Sequence, residues 1–283
     1  MAHSKNKILL IVEGAKAEPN LMNRYKEALN TDELSIEIIS FKTNIYVLYQ
    51  TIKKLNYDFN NIDTTDTLDV LKDIFLHQGR MEEVKQLNAQ YPYIYLLFDL
   101  DLQDSHRPNK KEIVKEMMDY FSDETDHGLL LIDYPMVEAF RDYHKPAPDP
   151  LFKERSISIH ELTNYKHIVK ERGNTSKLYF FGKKAFIAIL KQNLMKANQI
   201  VNSAYTLPNY EDFQKFTIGK DIFQNEFQII EKEEKIMVLC TALFIYPYYF
   251  GKEYYEKNVL HNHFLSVKSS SMYKCNFFTL YFL

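Results

Sequence analysis

The chain has 283 residues, 46% of them hydrophobic and 14% aromatic, enough apolar mass for a sizeable core in one large domain or two ordinary ones. Lys and Arg number 35 against 38 Asp and Glu, a formal charge of −3, so no global positive field draws the protein to nucleic acid or an anionic membrane, and any such contact must be local. Two cysteines, Cys240 and Cys275, exclude a disulfide framework and a CxxC pair and favour a reducing compartment, the cytoplasm by default, while no apolar run reaches a bilayer span and MAHSKNK does not open a signal peptide.

In chain order, Ile8–Val12 is a compact apolar strand. Glu18–Leu29 follows with Leu21, Met22, Tyr25 and Leu29 at the spacing of an amphipathic helix. Leu34–Phe41 reads as a second strand, and helices are expected over Asn44–Leu55 and Thr67–Leu76. Tyr91–Asp99 is the third strand, Lys110–Phe121 a helix and Leu129–Asp133 a fourth strand. This βαβαβαβ order predicts an α/β fold, a mostly parallel four-stranded sheet flanked by helices, with functional groups at the carboxyl ends of its strands. The segment KPAPDP, residues 145–150, has three prolines in six positions and stops any helix or central strand, placing a boundary near 150. Beyond it the pattern is mainly helical: Ile159–Arg172, Lys184–Val201, Asn209–Phe216, and a long, largely buried helix over Phe223–Tyr246. The expected organisation is a catalytic domain over 1–145 and a mainly helical domain over 151–283 for nucleic-acid, partner or oligomer contacts. The final NFFTLYFL reads as a docked strand or a sticky tail.

Two of the expected strands end in carboxylates. Glu13-Gly14 closes the first, and YIYLLFDLDLQD closes the third with Asp99 and Asp101, Asp104 close behind. In a parallel sheet these ends share a rim, so Glu13, Asp99 and Asp101 converge. Carboxylates packed together repel unless a cation sits between them, and hard oxygen ligands suit Mg²⁺ or Mn²⁺. Such an ion activates water and stabilises the leaving oxygen of a phosphodiester. A glycine after the glutamate allows a tight turn and close approach to a ligand. The plainer alternative is that these acids cap helix N-termini.

Strand-Glu-Gly followed by strand-Asp-x-Asp resembles the TOPRIM domain of topoisomerases, primases and the OLD and RloB-like nucleases. EGAKAEPNLM is similar to the form found in standalone phage-defence proteins, including the TOPRIM effector of the two-gene PARIS system. The resemblance covers roughly residues 7–142. It implies that Glu13 is the catalytic acid or base or a metal ligand, that Asp99 and Asp101 are catalytic metal ligands, and that Glu18, the second glutamate of the motif, is a catalytic helper or second-metal ligand. Asp133-Tyr-Pro-Met-Val-Glu138 resembles the stretch after the fourth strand in those nucleases, which adds Glu138, beside Asp104, as a further metal ligand. The implied function is cleavage of nucleic acid, tRNA among the candidate substrates, by an effector of antiphage defence with a separate ABC-type ATPase as partner and a homo-oligomeric state. The competing expectation is a catalytically silent, TOPRIM-like regulatory subunit that docks such an ATPase. A primase-like nucleotidyl transferase is disfavoured, because no zinc-binding or extra basic domain accompanies the motif.

Residues 166–196 carry eight Lys or Arg against the single acid Glu171, a local charge of +7. Lys177, Lys183, Lys184 and Lys191 are the candidate phosphate contacts, with Tyr179, Phe180 and Phe181 available to stack on unpaired bases; the alternative is a solvated helix face with its aromatics in the core. His160-Glu161 with His167 lacks the four-residue histidine spacing of a zinc helix, and no segment has phosphate-loop spacing, so the chain has no ATPase of its own. Cys240, within IMVLCTALF, is read as a buried small hydrophobe.

Overall fold

The computed structural model describes residues 6–29, 34–55, 59, 66–103 and 109–261. Strands β1 (Asn6–Val12), β2 (Leu34–Ser40), β3 (Tyr93–Asp99) and β5 (Gly128–Asp133) are parallel, and the two-residue β4 (Ser122–Asp123) pairs antiparallel with β5. The sheet is thus five-stranded, in the order β2-β1-β3-β5-β4, where the sequence predicted four strands. The extra edge arises because the chain leaves the helix before β5 in a tight turn and meets Leu129 on the way back.

Ile8 to Val12 and Gly128 to Asp133 are buried throughout, as expected of strands covered on both faces. Given the strand order, the right-handed crossover rule for parallel strands assigns α1 (Ala17–Leu29) to one face and α2 (Ile45–Lys54), α3 (Thr67–His77), the short α4 (Met81–Gln86) and α5 (Lys110–Tyr120) to the other. α2 packs against α3 and α5, whereas α1 packs against α7 (Lys183–Asn202). The chain leaves β1 toward β2 and later crosses to β3 on the other side, so the sheet reverses direction between β1 and β3. In open α/β sheets that reversal opens a crevice beyond the strands' carboxyl ends.

The second half also contains α6 (Tyr165–Arg172), α8 (Tyr210–Ile218), α9 (Asp221–Glu233), α10 (Ile245–Tyr255) and an antiparallel pair, β6 (Ser156–Ser158) with β7 (Lys235–Met237). The helix expected over Ile159–Arg172 begins as a 3-10 segment, Ile159–Asn164, and becomes α-helical only at Tyr165. The single helix expected over Phe223–Tyr246 does not form. Glu234 takes a left-handed conformation (φ 51°) that ends α9, and the apolar residues after it pair with β6 instead of continuing the helix. A 3-10 turn, Thr241–Phe244, then leads into α10.

Residues on both sides of KPAPDP share one hydrophobic cluster. The Tyr25 ring of α1 stacks on Phe186 of α7 at 4.7 Å, Tyr25 donates to the Leu243 carbonyl, and Tyr246 donates to that of Met22. Tyr134, just past β5, exchanges backbone hydrogen bonds with Leu239. Among the described residues no helix is long and apolar enough to cross a membrane. The C-terminal NFFTLYFL and Cys275 lie outside the described residues.

Candidate active site

Glu13 is fixed from three directions. Its N–H donates to the Leu97 carbonyl of β3 at 3.1 Å, and its own carbonyl accepts from Lys42 N at 2.9 Å, just past β2. Its side chain reaches across the β1/β3 reversal, where Oε2 accepts from Asp99 N at 3.2 Å. Residues 86 positions apart therefore meet at one strand rim, as the alternating pattern predicts. Asp99 in turn accepts from Val137 N at 2.8 Å through Oδ1. Asp101 is held from the other side: Asn44 Nδ2 donates to its Oδ2 at 3.1 Å and Gln103 N to its Oδ1 at 3.1 Å. The same Asn44 caps α2 by accepting from Val47 N.

Glu18, in the first turn of α1, folds back so that Oε1 accepts from Gly14 N at 3.1 Å. A methyl group on Gly14 would sit 2.6 Å from Glu18 Oε2. The glycine after Glu13 is thus explained by the close approach of the second glutamate, where the sequence pattern suggested a tight turn and an approaching ligand. Glu18 is buried, and its Oε2 has no partner. Glu138, on the 3-10 turn Val137–Arg141, pairs through Oε1 with Lys166 Nζ at 3.3 Å, while its buried Oε2 also lacks a partner. Asp133 is a structural tie: fully buried at the end of β5, its Oδ1 accepts from Ala242 N and Thr241 Oγ1 at 3.0 and 3.2 Å and joins the C-terminal half to the sheet. Asp104 lies outside the described residues.

Glu13, Asp99, Asp101, Gln103, Met136 and Lys166 line a cleft of about 180 Å³. Burial, above all, pushes the Glu13 carboxyl up to about 8; the charges of Glu18 and Asp101 add to this, while the Asp99 N–H and Lys166 oppose it. Burial likewise raises Asp99 well above the carboxylate range, helped by Glu13, Asp133, Glu18 and Glu138. Glu18 is raised by burial and by Glu138. Burial disfavours the charge of Lys166, but Glu138, Asp99 and Glu18 outweigh it and hold the ammonium. The group is a set of mutually repelling acids with too little positive charge among them.

Those properties fit a hard divalent cation. Carboxylates arrive from three segments of the sheet rim, two neighbouring carboxylate oxygens are buried without a partner, and a cation would offset the burial, and the lesser mutual repulsion, that raise Glu13 and Asp99. Among the described residues no three His, Cys, Asp or Glu side chains already stand at liganding positions. Asp101 is held by Asn44 and Gln103, and Glu138 by Lys166.

The basic segment divides on folding. Lys177, Lys183 and Lys184 are exposed, and so are Tyr179 and Phe180, whose ring centroids lie 4.0 Å apart. Lys191 is not a surface contact: it is 7% exposed, and Lys196 is fully buried, donating to the Lys153 and Arg155 carbonyls at 2.6 and 3.1 Å. The reason is that α7 is enclosed, with 13 of its 20 residues buried, so lysines beyond its first turn enter the interior. Phe181 is buried too. Lys166, grouped by sequence with this basic segment, belongs instead to the acidic cleft, and Asn44 carries no sequence signal that marks it for the site. His160 and His167 are exposed and pair with Glu234 and Glu171, and Cys240 is buried.

No family model, curated protein or solved structure matches the chain.

Proposed function

We propose that the chain is a TOPRIM-like nuclease that cleaves nucleic-acid phosphodiesters with Mg²⁺ or Mn²⁺. One observation carries this reading: the Glu13 carboxylate meets the amide of Asp99 at 3.2 Å, at the point where the sheet reverses direction. Asp99 and Asp101, with Glu13 at their edge and Glu18 and Glu138 behind, would hold the cation. When bound, it supplies Lewis-acid stabilisation of phosphoryl oxygens and activation of water.

The chain's own residues do the rest. In its ionised form Glu13 accepts the proton of the attacking water at the oxygen not committed to Asp99 N. Lys166, at the cleft wall, neutralises charge developing on the phosphoryl group. Val137 N and Asn44 keep Asp99 and Asp101 oriented. The resemblance extends the proposal to an antiphage effector, with tRNA as a substrate and a separate ATPase as partner.

The test is cleavage of RNA, plasmid and single-stranded DNA by the purified chain with Mg²⁺ or Mn²⁺. Activity is expected to vanish in EDTA and to fall at least roughly 100-fold in Glu13→Gln and in Asp99→Asn. Equal cleavage by the variants would refute the assignment.

A further inference from the structure

A second cavity, of about 340 Å³, shares no lining residue with the carboxylate cleft. Its floor is buried and largely apolar: Tyr143, Phe181 and Ala188 are each nearly inaccessible. Its open side is the ring of Phe180, which is 67% exposed, and its rim carries Lys145 and Lys184. No carboxylate is among the described residues that line it. From these features we infer that the cavity takes one unpaired base of the nucleic-acid substrate, stacked against Phe180, with the adjoining phosphates on Lys184 and Lys145.

Three observations favour this occupant. The volume lies at the lower end for small-ligand sites and accommodates a single base with its sugar, not a folded peptide element. Tyr179 and Phe180 present two large rings to solvent directly before Lys183 and Lys184 and after Lys177, the combination of ring faces and cations by which proteins hold single strands. The polar atoms of the wall are already engaged: Asn174 Nδ2 donates to Tyr143 Oη at 2.6 Å, Asn174 Oδ1 accepts from Ser176 N at 3.0 Å, and Lys145 Nζ contacts Ser176 Oγ. What the cavity offers a ligand is therefore stacking surface and positive charge.

A run of ring contacts leads from the site to the elements that carry Glu138 and Glu18. Phe140, two residues after Glu138, packs on Phe181; Phe181 packs on Phe186; and Phe186 stacks on Tyr25 of α1, the helix that carries Glu18. The inference rests on the nuclease reading for its class of substrate, and it adds that the substrate carries an unpaired nucleotide away from the scissile bond.

Fluorescence anisotropy in EDTA, with the full chain and short labelled strands, separates binding from cleavage. Matched ribo- and deoxyribo-oligonucleotides distinguish the two polymers, and a blunt duplex serves as competitor. Phe180→Ala is expected to weaken single-strand binding by at least about 5-fold and Phe180→Trp to restore it. Lys184→Ala is expected to weaken binding and flatten its salt dependence. Unchanged affinity in Phe180→Ala, or a wild-type preference for the duplex, overturns the inference. The two proposals fail separately: cleavage lost in Glu13→Gln with binding indifferent to Phe180 removes the base site alone, and Phe180-dependent binding without metal-dependent cleavage removes the nuclease reading alone.

Discussion

Glu13 combines two properties that a purely structural residue avoids: it is a carboxylate among other carboxylates, and it is partly withdrawn from water. Its carboxyl is raised from 4.5 to about 8, first by burial and then by Glu18 and Asp101, so the folded protein keeps a proton that the unfolded chain releases. The contribution of this group to stability is therefore full below about pH 4.5 and is lost as pH climbs through about 8. Without divalent cation, Glu13→Gln is expected to flatten the fall of Tm over that window and to melt roughly 2–4 °C above wild type at its alkaline end; added Mg²⁺ should close the gap by stabilising the wild type. A variant that melts lower than wild type at every pH would show that the carboxylate stabilises the fold. Gly14 supplies a second residue-level check. Gly14→Ala pushes a methyl group onto Glu18 Oε2, so it should displace that carboxylate and cut cleavage at least roughly 10-fold while folding is retained. Full activity in this variant would mean that the position of Glu18 is immaterial.

At the level of elements, Asn44 joins a helix start to a site. Its Oδ1 caps α2 and its Nδ2 orients Asp101. Asn44→Asp keeps the cap acceptor but replaces the donor with a negative charge beside Asp101. Thermal stability is expected to stay within about 1 kcal/mol of wild type while cleavage drops, and the reverse pattern, a lower Tm with normal cleavage, would assign Asn44 to the helix alone. Such long-range pairings leave no trace in the sequence, which is why neither Asn44 nor Lys166 is legible there as a site residue. The strands of the first half are legible because apolar runs such as ILLIV and YLLF are bounded by charged or turn residues and must be buried. β7 is not, because KIMVLC runs into TALFIY without a polar break and the stop is made by the backbone of Glu234. Lys191 and Lys196 escape a sequence-based placement for a related reason: a lysine looks the same in sequence whether its ammonium meets water or a buried carbonyl.

Across the whole molecule, the second half holds the rim that presents the acids. Thr241 and Ala242 secure the Asp133 carboxylate, Leu239 bridges to Tyr134, and Tyr246 and Leu243 clasp α1. A fragment of residues 1–145 leaves those groups unpaired and exposes the aromatic face of α1, so it is expected to lack a cooperative melt and to bind the dye that reports exposed apolar surface. A fragment that melts cooperatively like the full chain would show the rim to be self-sufficient. Whether acids from β1 and β3 hold a divalent cation can be read without any nucleic acid by Mn²⁺ titration of the full chain, followed by loss of the free-ion electron paramagnetic resonance signal. The expected result is saturable binding that tightens as pH rises toward the Glu13 value of about 8 and weakens at least about 10-fold in both Glu13→Gln and Asp99→Asn. Titration curves that are the same for wild type and both variants would contradict it.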